Sequence, residues 1–162
     1  GMVWCSGWKL VQGVSQAGGL GLLGSGSMDT ETLRYHIKQC KIHCNRFGVN
    51  VPLLYKHAPE VIEILIEEKV PIVFTSAGNP KTYTSILKSN NIVTTHVVSS
   101  LAFAEKAQEA GVDAIVAEGF EAGGHNGKEE TTTMVLLQQL KGKLGVPIIA
   151  AGGIYGGEAM YA

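Results

Sequence analysis

No charge of either sign dominates this sequence: 13 Lys and Arg stand against 14 Asp and Glu, for a formal net charge of −1. Nothing in that balance steers the molecule toward nucleic acid or an anionic membrane surface. Cysteine is scarce, three in 162 residues. An odd, small number excludes a disulfide scaffold and leads us to expect a reducing, cytoplasmic setting. No apolar run approaches the roughly 18–20 residues of a membrane span, and the N-terminus lacks the basic-then-apolar profile of a secretory signal. Charged residues make up 17% and hydrophobic residues 45%, so the chain is expected to bury a core as a single domain, 1–162.

Glycine is the residue in surplus, 21 of 162, nearly twice the usual share of about 7%. The glycines cluster between short apolar, β-branched runs that begin near Leu20, Phe47, Pro71, Ile92, Asp113 and Pro147. Segments of helical spacing lie between the runs. Asp29 reads as an N-cap ahead of a helix over Thr32–Cys44. Pro59 opens Glu60–Lys69, with Val61, Ile62, Leu65 and Ile66 on one face. Ser100 caps Leu101–Ala110, which Gly111 closes, and Thr131–Leu144 is predicted to end at Gly145 and Pro147.

Ile72-Val73-Phe74, Ala114–Ala117 and Ile148-Ile149-Ala150 are apolar on both faces, the mark of strands in a parallel sheet covered by helices. Alternation of strand and helix predicts an α/β fold with right-handed crossovers. A formal G-x-G-x-x-G occurs at Gly19–Gly24, yet a helical stretch precedes it and its apolar residues look like the strand itself. A dinucleotide-binding turn needs the reverse order, and Asn50 stands where the following acidic residue belongs. A (β/α)8 barrel instead places polar and glycine residues at strand C-terminal ends. Gly24-Ser25-Gly26, Asn50, Thr75–Gly78, Ser99-Ser100, Glu118-Gly119 and Gly152-Gly153 meet that expectation. Six strands fall short of eight, so the sequence reads as an incomplete barrel lacking the first and last strands.

The densest chemical signal is Glu118–Gly127, a predicted buried strand end followed by a loop with one histidine among glycines. Glycines allow close backbone approach to a ligand, and an imidazole exchanges protons near neutral pH. A solvated turn histidine is the competing reading, and composition leaves both open.

Taken in order, Gly1-Met2, Val14–Gly21, Phe47–Asn50, Thr75–Pro80, Glu121–Gly127 and Ala150–Ile154 resemble the nitronate monooxygenase family, once called 2-nitropropane dioxygenases. The flavin-dependent enoyl-acyl-carrier-protein reductase II shares these motifs. The most specific element is E-A-G-G-H-N-G followed a strand later by A-A-G-G-I. The resemblance implies an FMN-binding barrel with the flavin across its C-terminal mouth. Matched residue by residue, Gly1 and Met2 touch the flavin ring and Asn50 meets the isoalloxazine edge. Glu118 ends a strand beside the cofactor, and Gly123 and Gly124 supply adjacent backbone. His125 matches the catalytic histidine, and Gly152 and Gly153 match half of the phosphate site. The implied substrate is a small molecule, a nitronate or an enoyl thioester, with no nucleic acid or membrane partner; a homo-oligomer is compatible with this reading.

Three further features are set beside it. His36, Cys40, His43 and Cys44 share a predicted helix but are read as ordinary helix-face residues, since zinc wants three or four converging ligands. Cys5 is expected to be a small buried side chain, and His96 a satisfied core histidine. Glu118 and Glu121 remain the alternative bases to His125.

Overall fold

The computed structural model describes residue 2 and residues 4–161; Gly1 lies outside the described residues. Two compact units divide the chain, residues 1–94 and 95–162.

In the first unit, helix α1 (Trp8–Gln16) precedes strand β1 (Gly21–Gly24), a short 3-10 turn Ser25–Ser27 follows, and α2 (Thr30–His43) leads to β2 (Phe47–Pro52). Helix α3 (Ala58–Glu67), β3 (Ile72–Ser76), a second 3-10 turn Pro80–Thr82 and α4 (Thr84–Ser89) complete it, with β4 (Val93–Val98) starting at its end. Strands β1, β2 and β3 are parallel neighbours in chain order, Gly24 level with Asn50 and Asn50 level with Phe74. Leu23, Leu33, Ile37, Val49, Leu65 and Val73 form a core from which solvent is excluded.

The predicted caps explain where helices begin. The Asp29 carboxylate accepts the Thr32 N–H at 2.7 Å, fixing the start of α2. Pro59 sits in the first turn of α3, where its missing N–H costs nothing. That helix buries Val61, Ile62, Ile64 and Leu65, with Ile66 only packed against the core's edge, so its apolar face is rotated slightly from the expected one.

The second unit contains most of β4, then α5 (Leu101–Glu109), β5 (Ala114–Glu118), α6 (Thr133–Leu140), β6 (Ile148–Ala151) and α7 (Gly157–Tyr161). Strands β4, β5 and β6 are again parallel and adjacent in chain order, with Val98 level with Ala117 and Glu118 level with Ala151. Ile115, Ala117, Ala104, Leu136 and Leu140 make the core. Ser100 caps α5 through the Phe103 N–H at 3.4 Å, and Gly111 follows with φ +86°. Helix α6 ends earlier than the apolar pattern suggests. Lys141 turns extended and Gly142 takes φ +74°, so the chain leaves the helix before Gly145.

The glycine motif at residues 19–24 is the strand, not a nucleotide turn. A Cβ on Gly21 would lie 2.5 Å from the Val11 carbonyl oxygen and 2.7 Å from its Cα, so α1 rests directly on the β1 backbone. Gly21→Ala must push a helix off a strand, and overpacking of this kind costs about 1–3 kcal/mol. Urea denaturation should show that loss as a lower midpoint with an unchanged slope; an unaltered midpoint would contradict the close packing.

Asn50 lies inside β2 rather than closing it: two more residues, Val51 and Pro52, continue the strand. Cys5 is exposed, contrary to the expected burial. It lies in the turn where the Cys5 and Ser6 N–H groups both donate to the Met2 carbonyl, which leaves its side chain outside the core. His96 is buried at 4% exposure in β4 and is not free of partners, in keeping with a core histidine.

Candidate functional site

The C-terminal ends of β5 and β6 hold six of the predicted residues. Beyond Glu118 the chain turns at once: the Gly119 N–H donates to the Ala151 carbonyl at 2.9 Å, and the Ala122 N–H returns to the Gly119 carbonyl at 3.0 Å. Glu121 then reaches across to α6. One of its carboxylate oxygens accepts the Thr133 backbone N–H at 2.8 Å and lies 3.0 Å from the Thr133 hydroxyl. Thr133 is the first residue of α6, and the preceding Thr132 makes no side-chain cap bond. The cap is supplied by a loop twelve positions upstream, where the positive end of the helix favours an anion.

Thr133 also serves β6. Its hydroxyl lies 3.0 Å from the Gly152 carbonyl and 3.3 Å from that of Ala151. Gly152 and Gly153 follow with φ +114° and +71°, a left-handed turn closed to ordinary side chains. A Cβ at Gly152 would lie 2.7 Å from Thr133 Oγ1 and 3.0 Å from the Ala122 nitrogen. The Glu118–His125 loop and the Gly152–Gly153 turn are therefore one packed assembly hinged on Thr133.

Around Gly123 and Gly124 the space is open. Among the described residues, apart from its chain neighbours, nothing lies within 4 Å of where a Cβ would stand on either glycine. His125 follows, exposed and without a side-chain hydrogen bond among the described residues. Asn126 fastens the end of the loop by donating to the Phe120 and Ala122 carbonyls at 2.9 and 3.0 Å. Its carboxamide oxygen is buried and has no partner among the described residues. A bare backbone face and a left-handed glycine turn fit a flat ligand carrying a phosphate.

The two carboxylates of this region behave oppositely. Burial pushes the Glu118 carboxyl above its ordinary value. The Thr133 backbone N–H holds Glu121 below its own, with the hydroxyl adding to the effect. Glu121 is thus a weak base committed to a structural bond, which removes it as the neutral-pH alternative to His125. Because its folded pKa is depressed, its contribution is complete above the unfolded value of 4.5 and is lost as pH falls through the folded one. Acidification below about pH 4.5 should therefore release the loop, and Glu121→Gln should release it at neutral pH. Limited proteolysis at Lys128 measures this; equal cleavage of the two proteins at pH 7 would contradict the anchor.

In the first unit Asn50 is buried, and its side-chain amide donates to the Phe74 carbonyl at 3.1 Å and to Ser76 Oγ at 3.2 Å. The Ser25 hydroxyl donates to the Asn50 carbonyl at 2.7 Å. The Met2 side chain is exposed, and its N–H donates to Ser6 Oγ at 2.7 Å. The sequence placed Ser25 and Ser76 among the polar residues at strand ends without a partner for either, and it passed over Thr133, which lay inside the predicted helix Thr131–Leu144.

The other candidates have structural uses. His36 accepts the Trp8 N–H at 3.0 Å through Nδ1, and His43 stacks on the Trp8 ring with centroids 5.1 Å apart. Burial pushes the Cys40 thiol up to about 12, with Cys44 adding to the shift. No helix among the described residues is long and apolar enough to cross a membrane.

Comparison with known proteins places this geometry in a family. The model of the nitronate monooxygenase family matches residues 58–162. A Rhodococcus jostii (strain RHA1) protein, (3aS,4S,5R,7aS)-5-hydroxy-7a-methyl-1-oxo-octahydro-1H-indene-4-carboxyl-CoA dehydrogenase, is 34% identical over 163 residues, covering 100% of this chain and 46% of that protein. A probable nitronate monooxygenase of Staphylococcus aureus (strain Newman) is 31% identical, over 95% of this chain and 56% of its own length. The solved structure of FabK from Thermotoga maritima is 42% identical with a TM-score of 0.94, covering 99% of this chain and 51% of that one. The chain thus spans about half the length of these relatives. Its fold class is α/β, a segment of a (β/α)8 barrel.

Proposed function

The chain belongs to the nitronate monooxygenase family, and we propose that the protein is an FMN-dependent oxidoreductase that converts alkyl nitronates, with oxygen, to carbonyl compounds and nitrite. One observation carries this reading: an exposed histidine, without a side-chain hydrogen bond among the described residues, follows two glycines whose faces are open, on a loop tied through Glu121 and Thr133 to a left-handed glycine turn. The flavin, when bound, supplies the electron transfer that side chains cannot.

This chain's own residues bind, orient and handle the proton. Gly123 and Gly124 offer bare backbone to a flat ring, and Gly152 and Gly153 offer a turn suited to phosphate. Asn50, locked by Phe74 and Ser76, presents a fixed amide edge. A ring nitrogen of His125 orients the nitronate oxygens or takes the proton from the substrate carbon. Met2 is assigned to the flavin ring by family resemblance.

A second reading is reduction of an enoyl thioester with NAD(P)H through the same flavin, favoured by the 42% identity to FabK and by a relative that acts on a carboxyl-CoA compound. The two are separated by offering the full-length, flavin-loaded protein propyl nitronate in air and, separately, crotonyl thioester with NADH. Nitrite from the first and no NADH oxidation in the second support the nitronate reading; the reverse pattern replaces it. FMN among the released small molecules after denaturation is expected in either case, and its absence sinks both.

A further inference from the structure

The Thr133 hydroxyl has more acceptors around it than hydrogens to give. Oγ1 carries one hydrogen and stands 3.0 Å from Glu121 Oε2, 3.0 Å from the Gly152 carbonyl and 3.3 Å from the Ala151 carbonyl. Two of these acceptors have a donor elsewhere. Glu121 Oε2 takes the Thr133 backbone N–H at 2.8 Å, and the Ala151 carbonyl takes the Gly119 N–H at 2.9 Å. Among the described residues the Gly152 carbonyl has the Thr133 hydroxyl alone. Satisfying all three acceptors therefore needs the hydrogen at Gly152.

That bond also governs the far side of the same peptide. The Gly152–Gly153 peptide is trans, so the Gly152 carbonyl and the Gly153 N–H point in opposite directions across one rigid plane. With the carbonyl drawn to Thr133, the N–H faces away from it. Gly153 is exposed, and its N–H donates to nothing among the described residues. Glycine on both sides of this peptide, at φ +114° and +71°, leaves the plane easily rotated, so the direction of the N–H depends on the grip at the carbonyl. Glu121 adds its stem, whose Cβ lies 3.3 Å from where a Cβ would stand on Gly153, and commits its charge to the Thr133 N–H.

We infer that Thr133 is a positioning residue for the anionic end of the cofactor, its hydroxyl holding the Gly152 carbonyl so that the Gly153 N–H meets the phosphate. The identity of that anion rests on the flavin reading proposed above. An anion on the N–H polarises the peptide and makes its carbonyl the better acceptor, so the hydroxyl hydrogen is drawn from Glu121 toward Gly152 as the turn fills. Glu121 keeps the Thr133 N–H throughout.

The test compares FMN with riboflavin, which lacks the phosphate, by titrating each into the full-length protein freed of flavin and following flavin fluorescence. The parent should hold FMN more tightly than riboflavin. Thr133→Val keeps the shape of the side chain and removes the hydroxyl, and its FMN affinity should fall about 2- to 12-fold, the worth of one hydrogen bond. Riboflavin affinity should not move, and Thr133→Ser, which restores the hydroxyl, should bind FMN like the parent. Thr133→Ala adds no methyl against the carbonyl and must show the same selective loss. Equal weakening of FMN and riboflavin makes Thr133 a residue of the fold only and overturns the assignment. Parental FMN affinity in Thr133→Ala overturns it too, as does a parent that does not distinguish the two flavins. A parent that binds neither flavin sinks the cofactor reading and this assignment together. Nitrite from propyl nitronate is scored separately: if none forms while the selective loss persists, the reaction proposed above is wrong and the role of Thr133 stands.

Discussion

His125→Ala in the full-length, flavin-loaded protein is expected to turn over a neutral nitroalkane about 10²–10⁴-fold more slowly, the usual worth of general acid–base assistance. The flavin should remain bound, because the side chain is exposed and makes no hydrogen bond among the described residues, whereas the loop is held by Glu121, Asn126 and the Gly119 amide. The kind of loss separates two roles. If neutral nitroalkane fails while preformed nitronate still reacts, His125 removes the carbon proton; if both fail, it orients the nitronate. A variant that keeps its flavin and its full rate on both would end the assignment. Glu118 is the remaining carboxylate at this strand end, and burial already disfavours its charged form. Burial also raises its affinity for a proton, which makes Glu118 the rival base; Glu118→Gln is expected to leave far more activity than His125→Ala, and the reverse order would move the proton-handling role to Glu118.

The second large effect is expected at Gly152. An alanine there must accept φ +114° and place its methyl 2.7 Å from Thr133 Oγ1. Positions of this kind cost on the order of 1–3 kcal/mol. The turn is expected to open rather than the strand to break, since β6 ends one residue earlier. If the whole strain falls on the cofactor, FMN affinity drops roughly 5- to 150-fold at 1.4 kcal/mol per tenfold. Flavin retention during dialysis, followed by fluorescence of the released FMN, measures it. Gly123→Ala is the control: it meets open space, so its backbone should hold and only a bound ring would feel the methyl. Equal flavin retention by Gly152→Ala and the parent would show that the turn does not hold the cofactor.

The sequence was most legible where a local rule governs. Each of the six strands starts within one residue of its predicted run, because β-branched apolar runs ended by polar and glycine residues have little else to become. Asp29, Ser100 and Pro59 marked helix starts through bonds or geometry that span only a few residues. Helix α4 left too short a pattern, six residues from Thr84 to Ser89, to be read as a separate element. The end of α6 was misplaced because the apolar pattern continues to Leu144 while the backbone leaves the helix at Lys141.

The least legible feature was the fastening of the site. Glu121 and Thr133 are twelve residues apart, and Thr133 and Gly152 nineteen, so no motif or period joins them. Glu121 stood as an alternative base to His125; its two bonds to Thr133 make it a helix cap instead. Ser25 was legible as a polar strand end, but only the register of β1 on β2 brings it to Asn50. Residue types in the Glu118–Gly127 loop suggested chemistry, but the way that loop is held depends on tertiary contacts.

The most direct test of the central claim is the nitrite released when the full-length, flavin-loaded protein is given propyl nitronate in air. The account predicts nitrite and the corresponding aldehyde in equal amounts, formed with consumption of oxygen and abolished when the flavin is removed. Nitronate left intact by a protein that holds FMN and oxidises NADH with an enoyl thioester would contradict it.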